Sequence, residues 1–134
     1  MRTTLTPTIG IACLAAGAML PANAHHAFAA NFDAEKPVRF EAVITKMEWI
    51  NPHVWIHIDA EMPDGSVEQW MIEAGSPNML FRQGLNKNSV QPGMRVIVDG
   101  YQARNGSKRA NGRDLTLPDG RKLFLSGAGD GPGR

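Results

Sequence analysis

The chain has 134 residues, with 14 Lys and Arg, 13 Asp and Glu, and four His, which leaves room for one domain. The near-balanced charge excludes a strongly basic nucleic-acid binder as the default reading. The lone cysteine, Cys13, excludes an internal disulfide or a paired-cysteine metal or redox motif.

The first 24 residues read as a secretory leader. Met1-Arg2 is a short basic start, residues 9–20 are apolar and rich in Ala and Leu, Pro21 breaks the run, and Ala22-Asn23-Ala24 is an A-x-A cleavage site. The apolar run is well short of the roughly 20 residues a spanning helix needs, so no membrane span is expected after cleavage. Cys13 lies too early in the run, with Gly10 where a lipobox has Leu. Cleavage between Ala24 and His25 removes Arg2 and Cys13, leaving a cysteine-free periplasmic chain of formal charge zero with His25 as its first residue.

In the mature chain, residues 25–33 form a lead-in that Phe28 and Phe32 can pin against the body. Residues 33–37 read as a polar turn, because Pro37 discourages a helix across them. A first strand follows over residues 38–49, with period-2 alternation at its start and enough length to bend around a barrel. Asn51-Pro52 punctuates it. The second strand, 54–59, places Val54, Ile56 and Ile58 on one face and His53, Trp55, His57 and Asp59 on the other. Pro63-Asp64-Gly65 is a turn, since Pro presets φ and Gly accepts positive φ. The third strand is 67–74, with Trp70 and Ile72 on the face opposite Gln69, Met71 and Glu73.

Ser76 and Pro77 are an N-cap and a first helical residue, so a short helix follows. Met79, Leu80 and Phe81 are its candidates to pack inward, and Gly84 is its C-terminal cap. A fourth strand runs over 94–101, with Val96 and Val98 opposing Arg95, Ile97 and Asp99. Asn105-Gly106 is a turn signal, and the polar run 104–113 extends it into a longer loop. Residues 115–117 and 122–125, around Pro118-Asp119-Gly120, make a last strand or hairpin. Residues 127–134 are a glycine-rich tail expected to lack structure. The order is mainly β, with one short helix between strands three and four, which suits a five-stranded OB-type barrel over residues 25–126. Another small β-barrel or sandwich is the alternative.

Several of these segments together resemble the bacterial family of small exported proteins catalogued as domain of unknown function 6152. They are His25-His26-Ala27-Phe28, Asn51-Pro52-His53-Val54-Trp55, Glu73-Ala74-Gly75-Ser76-Pro77-Asn78 with Leu80, Arg82 and Gly84, then Pro92-Gly93, and Leu117-Pro118-Asp119-Gly120-Arg121. Leu85 and Met94 depart from the family pattern, where Trp and Asp are frequent. The resemblance implies location and fold and carries over no activity.

The candidate chemistry lies in the histidines. Once His25 is the amino terminus, its amine and imidazole, joined by a second imidazole, make a three-nitrogen set that suits Cu(II). His26 offers a second mode, wrapping the ion with the amine and an intervening amide. His53 is the preferred third ligand. His57 lies four residues further along the strand, roughly 13 Å away, too far to share the ion. Glu73 or Asp33 can orient an imidazole by hydrogen bonding. Without metal, Trp55, His57 and Glu73 make a face for a small molecule, a glycan or a periplasmic protein partner. A solvated terminus and core tryptophans are the bland readings of the same residues, and core packing is expected for at least two of Trp49, Trp55 and Trp70. An enzyme ranks last: there is no Gly-x-Ser-x-Gly elbow, His-Glu-x-x-His or phosphate loop, although a copper brace can support oxidative chemistry.

Overall fold

The computed structural model describes residues 22–126, with side chains from residue 27 onward. The expected leader up to Pro21 and the glycine-rich tail from Gly127 lie outside the described residues. The elements in order are α1 (Ala22–Asn31), β1 (Phe32–Glu48), β2 (Trp55–Glu61), β3 (Val67–Glu73), α2 (Pro77–Arg82), β4 (Arg95–Ala103), β5 (Arg109–Thr116) and β6 (Lys122–Phe124). The chain is mainly β. One sheet is ordered β3-β2-β1-β4-β5-β6, with a further pairing of β3 to β5. Only that last pairing is parallel.

The alternation in the sequence puts one side of every strand into a shared core. Phe40, Ala42 and Ile44 of β1 meet Val54, Ile56 and Ile58, then Trp70 and Ile72, Val96 and Val98, and Ala110 and Leu115. Trp70 is buried, with its ring centroid 4.6 Å from that of Phe40. Trp49 packs against the same core from a half-buried position. The short helix α2 is where Ser76 and Pro77 place it. Ser76 Oγ accepts from the Met79 N–H at 3.3 Å, and Leu80 is the residue it buries. Phe81 points out, 70 % exposed, because the inward side of this six-residue helix is taken by Leu80 and Met79.

Three expectations are corrected. First, α2 is not the only helix: residues 22–31 form α1 rather than an irregular lead-in. Ala has the highest helix propensity of any residue, and Ala22, Ala24, Ala27, Ala29 and Ala30 dominate the segment. Asn31 Nδ2 donates to the Ala27 carbonyl at 3.1 Å within the last turn. Phe28 and Phe32 do pin it, in a small cluster with Ala103 and Tyr101. Second, residues 33–37 are strand, not turn. β1 starts at Phe32, and its register against β4 shifts between Phe32 and Pro37. Third, residues 109–113 belong to β5 and are not loop. Their backbone pairs with β3 (Met71 with Arg109, Ile72 with Ala110, Glu73 with Asn111). Gly112 is needed there: a Cβ would stand 2.7 Å from Ile72 Cγ2 and from Leu125 Cδ1.

Candidate functional site

Register decides which groups meet. Glu48, Trp55, Glu73, Asn111 and Tyr101 lie opposite one another in turn across β1, β2, β3, β5 and β4. They occupy the side of the sheet turned away from the core. His53 comes just before β2, after a cis Asn51-Pro52 peptide. Its neighbour Val54 is tied into the exit of β3: the Val54 N–H donates to the Gly75 carbonyl at 3.0 Å, and the Ala74 N–H to the Val54 carbonyl at 2.9 Å. The His53 ring is thereby fixed beside Glu73, with Nδ1 2.7 Å from Oε1. The Glu73 side chain is 15 % exposed and that of His53 45 %. A proton on Nδ1 donated to the carboxylate leaves Nε2 as the ring nitrogen with a lone pair.

This pair borders a cavity of about 350 Å³. α1 supplies one wall through Ala27, Phe28 and Asn31, continued by Phe32. The opposite side consists of His53, Glu73, Ala74 and Gly75, together with Asn111 and Ser126. Asn111 is 7 % exposed, and its Oδ1 has no hydrogen-bond partner. The backbone of His25 and His26 is part of α1, two and one residues before Ala27. Their side chains lie outside the described residues.

The remaining candidates are not gathered here. Trp55 is covered by Arg109, whose Cζ lies 4.6 Å from the ring centroid, a stacking that attracts the cation to the ring face. His57 borders a different cavity, of about 520 Å³, with Thr45, Lys46, Gln69 and Lys108. Its Nε2 is 3.3 Å from Glu48 Oε2 without hydrogen-bond geometry. The carboxyl of Glu48 is held below its ordinary value of 4.5, first by Lys46 and then by His57. Asp33 contacts Lys36 at 3.9 Å and is absent from the His53 cavity lining. Among the described residues, no three or more His, Cys, Asp or Glu side chains come together as a metal-binding group.

Residues 101–122 hold six bases against two acids, and most of these bases have internal partners. Arg104 Nε donates to the Ala29 carbonyl at 2.6 Å, and Lys108 pairs with Glu68 at 3.1 Å. Arg113 pairs with Asp114 and Arg121 with Asp119, each at 2.7 Å. Charges already paired attract a polyanion weakly, which favours a solvated face over a nucleic-acid patch. The sequence does not mark Asn111 as a site residue because it stands in the polar run 104–113, which reads as a loop.

The described residues form a mainly β structure with a polar cavity between α1 and the sheet. Residues 12–112 match the model of a family of unknown function, DUF6152, and the chain belongs to that family. No curated protein and no solved structure matched it. Among the described residues no helix is long and apolar enough to cross a membrane.

Proposed function

We propose that the chain is an exported OB-type barrel that binds Cu(II) at the cavity between α1 and the His53–Glu73 pair. The barrel reading draws on the strand pairings, which run β1–β2–β3–β5–β4 and back to β1, with β6 as a short addition at the edge. The observation that carries the copper reading is that His53 and Ala27 border one cavity while Glu73 holds the Nδ1 side of the ring. Metal-bound imidazoles commonly donate their second N–H to a carboxylate, which fixes the ring and raises its basicity. His53 has that arrangement, and export to a first residue at His25 adds an amine and an imidazole two positions from Ala27. His26 supplies the alternative local mode.

The test uses protein matured through its own export route, with His25 confirmed as the first residue by mass spectrometry, and titrated with Cu(II). Submicromolar binding is expected. It weakens sharply in His53→Ala and with an extra residue ahead of His25, and by about 10- to 100-fold in Glu73→Gln; His57→Ala leaves it unchanged. Micromolar binding indifferent to His25→Ala and His53→Ala overturns the reading.

The metal-independent alternative, a small-molecule or periplasmic-partner site on the Trp55 and His57 face, has less support. Arg109 already lies over Trp55, and His57 and Glu73 border different cavities.

A further inference from the structure

Of the described methionines, Met47, Met62, Met79 and Met94 pack against the core, and Met71 is not among them. It lies two positions before Glu73 in β3, on the side of the sheet turned away from the core. There it stands directly opposite His57 of β2. Cross-strand partners hold their Cβ atoms about 4.5–5.5 Å apart, so both side chains can reach one ion. Both also line the cavity of about 520 Å³. The Glu48 carboxylate sits between Lys46 and His57, with Oε2 3.3 Å from His57 Nε2. A proton on Nε2 faces that carboxylate and leaves the lone pair on Nδ1. This is the His53–Glu73 arrangement with the two ring nitrogens exchanged.

We infer that His57 and Met71 form a separate site for a soft monovalent cation, Cu(I) or Ag(I) by chemistry, held between the imidazole nitrogen and the thioether sulfur. The inference does not rest on the cavity under α1. Thioether and imidazole are neutral donors, and a thioether selects Cu(I) over harder ions. Two such donors suffice for a cation that accepts linear coordination. The surrounding charges narrow the choice further. Among the described residues lining this cavity there is no carboxylate, while Lys46 and Lys108 are present. Lys46 pairs with Glu48 and Lys108 with Glu68, so little repulsion is left for a single positive charge. A divalent ion meets twice that repulsion, without the carboxylates that hold Ca2+ or Mg2+.

The probe is Ag(I), titrated in chloride-free buffer into the export-matured chain with carbon-13 in its methionine methyl groups, and followed by NMR. The Met71 methyl and the His57 ring are expected to move together, while the methyls of Met47, Met62, Met79 and Met94 stay in place. Met71→Leu, a volume-conserving change that keeps the fold, should abolish the His57 response. His57→Ala should abolish the Met71 response. Glu48→Gln should weaken binding by about 10-fold, because it removes the carboxylate that orients the ring. Zn(II) should leave the Met71 methyl where it is. His25→Ala and His53→Ala should leave the Ag(I) response of Met71 unchanged, so this site and the Cu(II) site can each fail while the other stands. A Met71 methyl that does not move, a Met71 response that survives His57→Ala, equal movement of all the methionine methyls, or an equal response to Zn(II) overturns the inference.

Discussion

Gly100 of β4 is the most demanding backbone position beside the candidate site, and Gly100→Ala tests the account of how the sheet is held there. A Cβ at residue 100 would stand 2.3 Å from the carbonyl oxygen of Asn111, 3.1 Å from its carbonyl carbon and 3.3 Å from the Gly112 Cα. All three atoms are backbone, so no side-chain rotation relieves the contact, and β4 and β5 must separate by about an ångström. The same strands are where Arg113 stands as an extra residue, since Asp99 pairs with Asp114 but Gly100 with Gly112. Overpacking of a tight interior costs about 1–3 kcal/mol, and a clash against backbone belongs at the upper end. At roughly 4–8 °C per kcal/mol for a domain of this size, the melting temperature should fall by roughly 12–24 °C. Gly112→Ala is the comparison. Its closest contacts, at 2.7 Å, are two side-chain methyls, Ile72 Cγ2 and Leu125 Cδ1, with the Glu73 carbonyl oxygen at 3.3 Å; methyls yield more readily than the backbone atoms facing Gly100, so about 1–2 kcal/mol is expected. Thermal melts by circular dichroism and urea titrations measure both. Gly100→Ala melting within a few degrees of the parent, or costing less than Gly112→Ala, refutes the reasoning.

Arg39 Nη1 donates to both carboxylate oxygens of the buried Asp99 at 2.7 Å, so Arg39→Ala strands that carboxylate. The Arg39 side chain is 60 % exposed, and solvent screening limits the loss to about 1–2 kcal/mol in urea denaturation. The Glu68 carboxyl is held below its ordinary value of 4.5, first by the Trp70 indole N–H and then by Lys108. A depressed carboxylate contributes stability that is present above pH 4.5 and lost as pH falls through the lowered value; Trp70→Phe should move the Glu68 titration, read by NMR, back up toward 4.5. Phe28→Ala removes one of the aromatic anchors of α1, and amide exchange at residues 27–31 should accelerate while β2 and β3 keep their protection, since local and global opening are separable. Trp55→Ala should leave Cu(II) affinity unchanged; a large loss would move the metal site along the same face, away from the α1 cavity and toward Trp55 and His57.

The strands with a clean alternation were the legible part of the fold. Val54, Ile56 and Ile58 read as one buried face, and period 2 is enough to say so. Ser76 and Pro77 announced α2 because capping is local chemistry. The failures share a cause. Asn105-Gly106 and Asn111-Gly112 carry the same turn dipeptide, and Gly106 does sit at positive φ, 75°. Asn111-Gly112 is instead buried in β5, because β3 lies alongside it. That pairing joins residues almost forty positions apart, and nothing near Asn111 in sequence records it. Pro37 misled in the same manner: it reads locally as a turn, yet it stands in β1 opposite Tyr101, where the register has shifted.

The site was half legible for the same reason. His53 and Glu73 could be named, and strand periodicity separated His53 from His57, but choosing Glu73 over Asp33 as the partner of His53 required the β2–β3 register. The structure pairs Trp55 with Glu73, which brings the carboxylate beside His53, two residues ahead of the strand. The wall opposite depends on α1, whose alanines are its helix signal in the sequence. Phe28 and Phe32 then explain why that helix matters to the cavity. They anchor it on Tyr101 and Ala103 of β4, so the amino-terminal segment stands across the cavity from His53 instead of leaving the body of the protein. In the proposed reading, an export cut at Ala24–His25 would fall within α1 and place the new amine within one helical turn of Phe28. This links export chemistry to the geometry of the proposed site.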